Sequence, residues 1–97
     1  MSIEKFIPLH KLCELYKVKM SFFSSLNEIG LIEIITIEES NYIHQDKIND
    51  IEKMIRMHID LDINIEGIDI AINLLQKIDE LENELISLKN RLKIYEN

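Results

Sequence analysis

Residues 74–95 read LLQKIDELENELISLKNRLKIY, and within them Leu74, Ile78, Leu81, Leu85, Leu88, Leu92 and Tyr95 recur at steps of 4, 3, 4, 3, 4 and 3. Alternating steps of three and four hold one apolar line along an α-helix, the seam of a coiled coil. These seven residues are the candidate dimer interface. Upstream, Asn64 is placed to accept from the orphan amides of a first turn, and Ile63 with Ile68 makes a hydrophobic staple across that start. No stop signal follows, so the spacing predicts one helix from Ile65 to about Tyr95, about 31 residues or roughly 46 Å long. The rest of a 97-residue chain can cover the beginning of such a rod and not its length, so the seam calls for a second copy of the chain.

The flanking charges allow either direction of pairing. About a centre between Ile86 and Ser87, an antiparallel pair sets Leu85 against the partner's Leu88, Leu81 against the partner's Leu92 and Glu82 beside the partner's Lys89. A parallel pair sets Lys77 beside the partner's Glu82 and Glu84 beside the partner's Lys89. The acidic block Asp79, Glu80, Glu82 and Glu84, followed by Lys89, Arg91 and Lys93, leans toward antiparallel. Each exposed pair contributes only about 0.5 kcal/mol, so this is a preference.

Toward the amino terminus the pattern shortens. Pro8 suits a first helical turn, and Leu9, Leu12, Cys13 and Tyr16 follow at helical spacing. After Lys17-Val18-Lys19, a second helix from about Met20 to Ile29 gathers Phe22, Phe23, Leu26 and Ile29, and Gly30 fits the left-handed residue that closes it. Two short helices with a tight joint make a helix-turn-helix. Leu31–Ile37 (LIEIITI) is dense in β-branched residues, Glu38-Glu39-Ser40-Asn41 is a polar turn, and Tyr42-Ile43 returns, which predicts a small hairpin or wing. From about Asp46 a third helix places Ile48, Ile51, Ile55 and Ile59 on one face, and Asp60-Leu61-Asp62 interrupts it. The expected fold is mainly α: a winged helix-turn-helix domain over 1–61 and a coiled-coil dimerisation helix over 62–97.

Composition restricts the function classes. The chain holds 18 acidic and 11 basic residues, a net charge of −7, which argues against affinity built on broad phosphate neutralisation. Residues 1–47 are themselves slightly acidic, with five lysines against seven Asp or Glu. The single cysteine, Cys13, has no thiol partner and no metal-ligand spacing. His10, His44 and His58 lie apart, without a spaced nucleophile or carboxylate, so no catalytic residue, metal or cofactor is assigned and no enzyme is indicated. No apolar run approaches the ~20 residues that span a bilayer, and the expected location is cytoplasmic.

Three steps in order resemble the MerR superfamily of winged-helix proteins: Pro8-Leu9-His10-Lys11-Leu12-Cys13 at the first helix, Asn27-Glu28-Ile29-Gly30-Leu31-Ile32 at the entry to the wing, and Asp62-Ile63-Asn64-Ile65-Glu66-Gly67-Ile68 at the helix junction. DNA-binding members carry arginines and paired tyrosines in the second helix and an Arg-Tyr step in the wing. Here those places read Ser21-Phe22-Phe23-Ser24-Ser25-Leu26 and Asn41-Tyr42-Ile43-His44. Within the superfamily the chain is similar to the chaperone-modulator CbpM family, whose helical tail resembles Leu85–Leu92. That resemblance implies a non-enzymatic dimer that binds the J-domain of a DnaJ-like co-chaperone of the CbpA type and restrains its activity. The alternative is a MerR-family transcription regulator that reads duplex DNA as a dimer.

Two groups are candidate partner-binding residues. Phe22 and Phe23 are adjacent on a helix and cannot both face one narrow stripe, which makes either an exposed patch or a widened core contact. Asp60, Asp62, Glu66 and Asp69 make an acidic surface at the junction, or serve capping and solvation there. Met54 and Met57 read as core packers of the third helix.

Overall fold

Pro8 ends a strand rather than opening the first helix. The computed structural model describes residues 5–96, in which β1 (Phe6–Pro8) runs into α1 (Leu9–Tyr16), with extended Pro8 as its N-cap residue. Lys17, at φ 56°, turns the chain into α2 (Met20–Glu28), and α1 with α2 forms the helix-turn-helix. β2 (Ile35–Ile37) and β3 (Ser40–His44) follow, then a 3₁₀ turn (Gln45–Lys47), α3 (Ile48–Ile59) and α4 (Ile65–Glu96). The architecture is the expected mainly α winged helix-turn-helix with a long last helix.

The wing is a three-stranded antiparallel sheet in the order β1-β3-β2, with Ile7 opposite Ile43 and Ile35 opposite Tyr42. Sequence patterning missed β1, because three residues ending in proline carry no period. Leu31–Ile34 is not strand either. The Gly30 N–H donates to the Asn27 carbonyl at 3.1 Å and the Leu31 N–H to the Leu26 carbonyl at 3.0 Å, while Gly30 sits at φ 83°. This is a Schellman closure, which spends the start of the LIEIITI run on ending α2. The hairpin loop is also tighter than expected. Ile37 pairs with Ser40, so only Glu38 and Glu39 turn the chain, at φ 49° and 67°, the geometry of a type I′ turn made without glycine.

Leu9, Leu12, Phe22, Phe23, Leu26 and Ile43 form one side of a single core, closed on the other by Ile51, Met54, Ile55 and Ile68. In α3 the buried face is Ile51, Met54 and Ile55, with Ile48 and Met57 packed at its edge; Ile59 is exposed. Met54, expected as a core packer, joins the buried face, and Ile59 in the last turn of α3 lies outside it. Ile29 likewise lies beyond α2 and is exposed.

α4 starts as its capping signals predict. The Asn64 side-chain oxygen accepts from the Gly67 N–H at 2.8 Å, and the Asn64 carbonyl accepts from the Ile68 N–H at 2.9 Å. Ile63 packs over the first turn, and Ile68 is fully buried. Burying one isoleucine contributes about 1.5–3 kcal/mol, so this first turn and a half fastens the rod to the head. From Asn73 to Tyr95 every side chain is exposed, which leaves roughly 35 Å of helix standing free. The radius of gyration, 17.7 Å, accordingly exceeds the ~13 Å of a compact chain of this size. Among the described residues no helix is long and apolar enough to cross a membrane.

Candidate functional site

Three surfaces can do chemical work: the free seam of α4, a cleft between head and rod, and the outer face of α2 with the wing.

All seven seam residues are solvent-exposed, from 51% at Ile78 to 86% at Tyr95. A row of large apolar side chains on a free helix is uncovered hydrophobic surface of the kind that marks an association site. The positions predicted as a dimer interface thus lie on one exposed line, and among the described residues nothing buries them.

The cleft has a volume of about 1040 Å³. One wall is the loop after α2 (Ile29–Glu33), the second is α3 through Asp50, Lys53 and Met54, and the third is α4 from Asp69 to Glu82. Its floor is apolar, with Ile32, Ile51 and Met54 buried, and Ile29, Leu75 and Ile78 exposed along its length. Five carboxylates line it (Glu33, Asp50, Asp69, Asp79 and Glu82) against Lys47 and Lys53. At about 100° per residue, the α4 residues that line the cleft centre roughly 150° around the helix from the seam; Ile78 alone belongs to both.

The outer face of α2 is Met20, Ser21, Ser24, Asn27 and Glu28, all exposed. From Met20 to Asp46, through the whole of α2 and the β2–β3 hairpin, there is no lysine or arginine, while there are five carboxylates, Glu28, Glu33, Glu38, Glu39 and Asp46. Lys17 and Lys19 stand at the amino end of α2. Phe22 and Phe23 are both buried, so neither supplies an exposed patch. Phe23 is enclosed in the core, and Phe22 lies under His58, ring centroids 4.3 Å apart and planes at 19°. α2 is covered from two directions, which makes the adjacent pair a widened core contact rather than an exposed patch.

The junction acids do not act as one group. Asp60, Asp62 and Glu66 are exposed and lie outside the cleft, whereas half-buried Asp69 faces into it, its side-chain and backbone oxygens accepting from the Asn73 amide at 3.0 and 2.8 Å. Asp62 turns the chain at φ 52°. Cys13 is half-buried, and that desolvation pushes its thiol pKa up, away from thiolate chemistry. The Tyr16 hydroxyl donates to Glu52 Oε1 at 2.8 Å, a bond that ties α1 to α3 and raises the phenol pKa, since ionised Tyr16 would lose it. Sequence reasoning missed the cleft residues Glu33, Asp50, Asp79 and Glu82 as a set, because three separate stretches supply them.

A helix-turn-helix, a three-stranded wing and a long carboxy-terminal helix with a bare seam define a winged-helix protein. Comparison with family models agrees: the model of MerR HTH family regulatory proteins matches residues 7–90, and the chain belongs to that family. Searches of curated proteins and of solved structures returned no match.

Proposed function

We propose that this chain is a non-enzymatic chaperone modulator: a homodimer, paired through α4, that binds the J-domain of a DnaJ/CbpA-type co-chaperone and restrains its activity. The observation that carries the reading is the absence of any lysine or arginine between Met20 and Asp46, the segment that a winged helix lays on DNA. Each phosphate a protein neutralises adds counterion-release affinity, and a segment with five carboxylates and no lysine or arginine has none to add. The same acidity suits a basic protein surface, and J-domains present a basic helix to their chaperone partner. The likeness to the CbpM family supplies the particular partner.

A second reading, a DNA-binding transcription regulator acting as a dimer, draws on the regulatory description of the family and on Lys17 and Lys19 at the start of α2. One experiment separates them. Purified chain is titrated against a CbpA-type J-domain by calorimetry and against a pool of duplex DNA by gel shift, both at ~150 mM salt. The modulator reading expects a saturable J-domain complex and no sequence-specific shift. A specific duplex complex with no J-domain binding overturns it.

A further inference from the structure

We infer that the acidic cleft between head and rod is a groove for an amphipathic helix whose polar side is basic, supplied by a partner other than a second copy of this chain. The inference rests on the protein-binding reading above and gives it a surface. Shape comes first: about 1040 Å³ matches roughly 13 Å of a helix 10 Å wide, about two and a half turns. Helix-in-groove recognition needs an apolar floor with spaced anchoring positions, and Ile29, Leu75 and Ile78 stay exposed along a floor of buried Ile32, Ile51 and Met54. Charge comes second. Glu33 comes from the loop after α2, Asp50 from α3, and Asp69, Asp79 and Glu82 from α4, so acidic residues line all three walls and exceed Lys47 and Lys53 by three charges. An occupant with lysines or arginines flanking an apolar stripe meets this lining, and an acidic or neutral helix does not.

The second copy is the obvious rival occupant, and the arrangement of α4 argues against it. The seam and the cleft face centre roughly 150° apart around the helix, so a partner rod along Leu74, Ile78, Leu81, Leu85 and Leu88 covers the seam and leaves the groove open except at Ile78, which both share. The rod cannot fold back into the groove either, because α4 is unbroken from Ile65 to Glu96. Pairing and helix capture therefore centre on separate faces of one helix that meet at Ile78, and the groove keeps Ile29 and Leu75 as exposed anchors when the seam takes up that residue.

The test compares two charge-reversed variants of the full chain. Asp50→Lys with Asp79→Lys alters exposed residues on opposite walls of the groove; Asp60→Lys with Glu66→Lys alters equally exposed acids outside it. Circular dichroism and light scattering first establish that both keep the fold and oligomeric state of the wild type. Calorimetry with a CbpA-type J-domain is then expected to show at least about a tenfold loss for the groove variant and little change for the junction variant. J-domain binding that survives the groove substitutions unchanged, or that fails equally in the junction variant, overturns the groove and leaves the modulator reading intact. If the wild type binds no J-domain, the modulator reading falls, and the groove is judged by a synthetic leucine–lysine amphipathic peptide. Methyl NMR shifts at Ile32, Met54 and Leu75 support the groove, whereas shifts elsewhere or none at all overturn it. Shifts at these methyls that track protein concentration without peptide identify a second copy as occupant and overturn it as well.

Discussion

Gly67→Ala should destabilise this protein, although alanine normally stabilises a helix relative to glycine by about 1 kcal/mol. Gly67 occupies the third position of α4, and a Cβ built there falls 2.6 Å from Ile63 Cγ2 and 3.1 Å from the Asn64 side-chain oxygen. Cγ2 is fixed on a β-branched carbon and has little rotamer freedom, so the whole Ile63 side chain must shift. The Asn64 oxygen is the cap itself, bonded to the Gly67 N–H at 2.8 Å. Losing the cap costs about 1 kcal/mol, and lifting half-buried Ile63 off the first turn about 1 kcal/mol more. Set against the propensity gain, the net loss is about 1 kcal/mol, a fall in melting temperature of about 4–8 °C for a chain of this size. The assay is urea and thermal unfolding at fixed protein concentration, in wild type and in an Ile63→Ala background. With Ile63 truncated the clash is gone, and Gly67→Ala should then become neutral or stabilising. A Gly67→Ala variant that melts higher than the wild type, or that loses the same amount in both backgrounds, refutes the steric account of the junction.

Three further outcomes can be checked directly. Leu81→Asp with Leu88→Asp places two charges in the seam and should give a monomer or an unfolded chain by light scattering; a folded dimer would rule the seam out as the interface. Glu38→Asn with Glu39→Gly gives the type I′ turn residues that tolerate positive φ and should raise stability by about 1–2 kcal/mol in urea titrations, with no gain counting against the turn assignment. Tyr16→Phe removes the bond to Glu52 and should cost about 1 kcal/mol near neutral pH. Because the bond raises the folded-state phenol pKa, its contribution is full below the pKa of free tyrosine and is lost as pH climbs through the raised folded value. The wild-type and Tyr16→Phe unfolding curves should therefore converge at alkaline pH, and a gap that widens there contradicts the sign.

Long elements with their own punctuation were legible. The cap at Asn64, the staple of Ile63 and Ile68, and the run of α4 are local signals that nothing elsewhere in the chain overrides. Short apolar runs were not. Leu31 and Ile32 look like strand residues, yet one belongs to the closure of α2 and the other to the core, because Gly30 reverses the chain just before them. β1 is held by its pairing with β3, a partnership some 35 residues away in sequence that no window contains. Phe22 required knowing that α3 returns His58 across it. The cleft was illegible for the same reason: its carboxylates lie on three elements, and only the angle at which α4 leaves the head makes them neighbours.

The uninterrupted course of α4 has a mechanical consequence. Ile68, locked in the head, and Leu74, the first seam residue, lie six residues or about 9 Å apart on one stiff helix. With no hinge between them, the bearing of each head in the proposed dimer would be geared to the twist of the helix pair it joins. A ligand that wedges the head away from its rod would exert a torque on the far end.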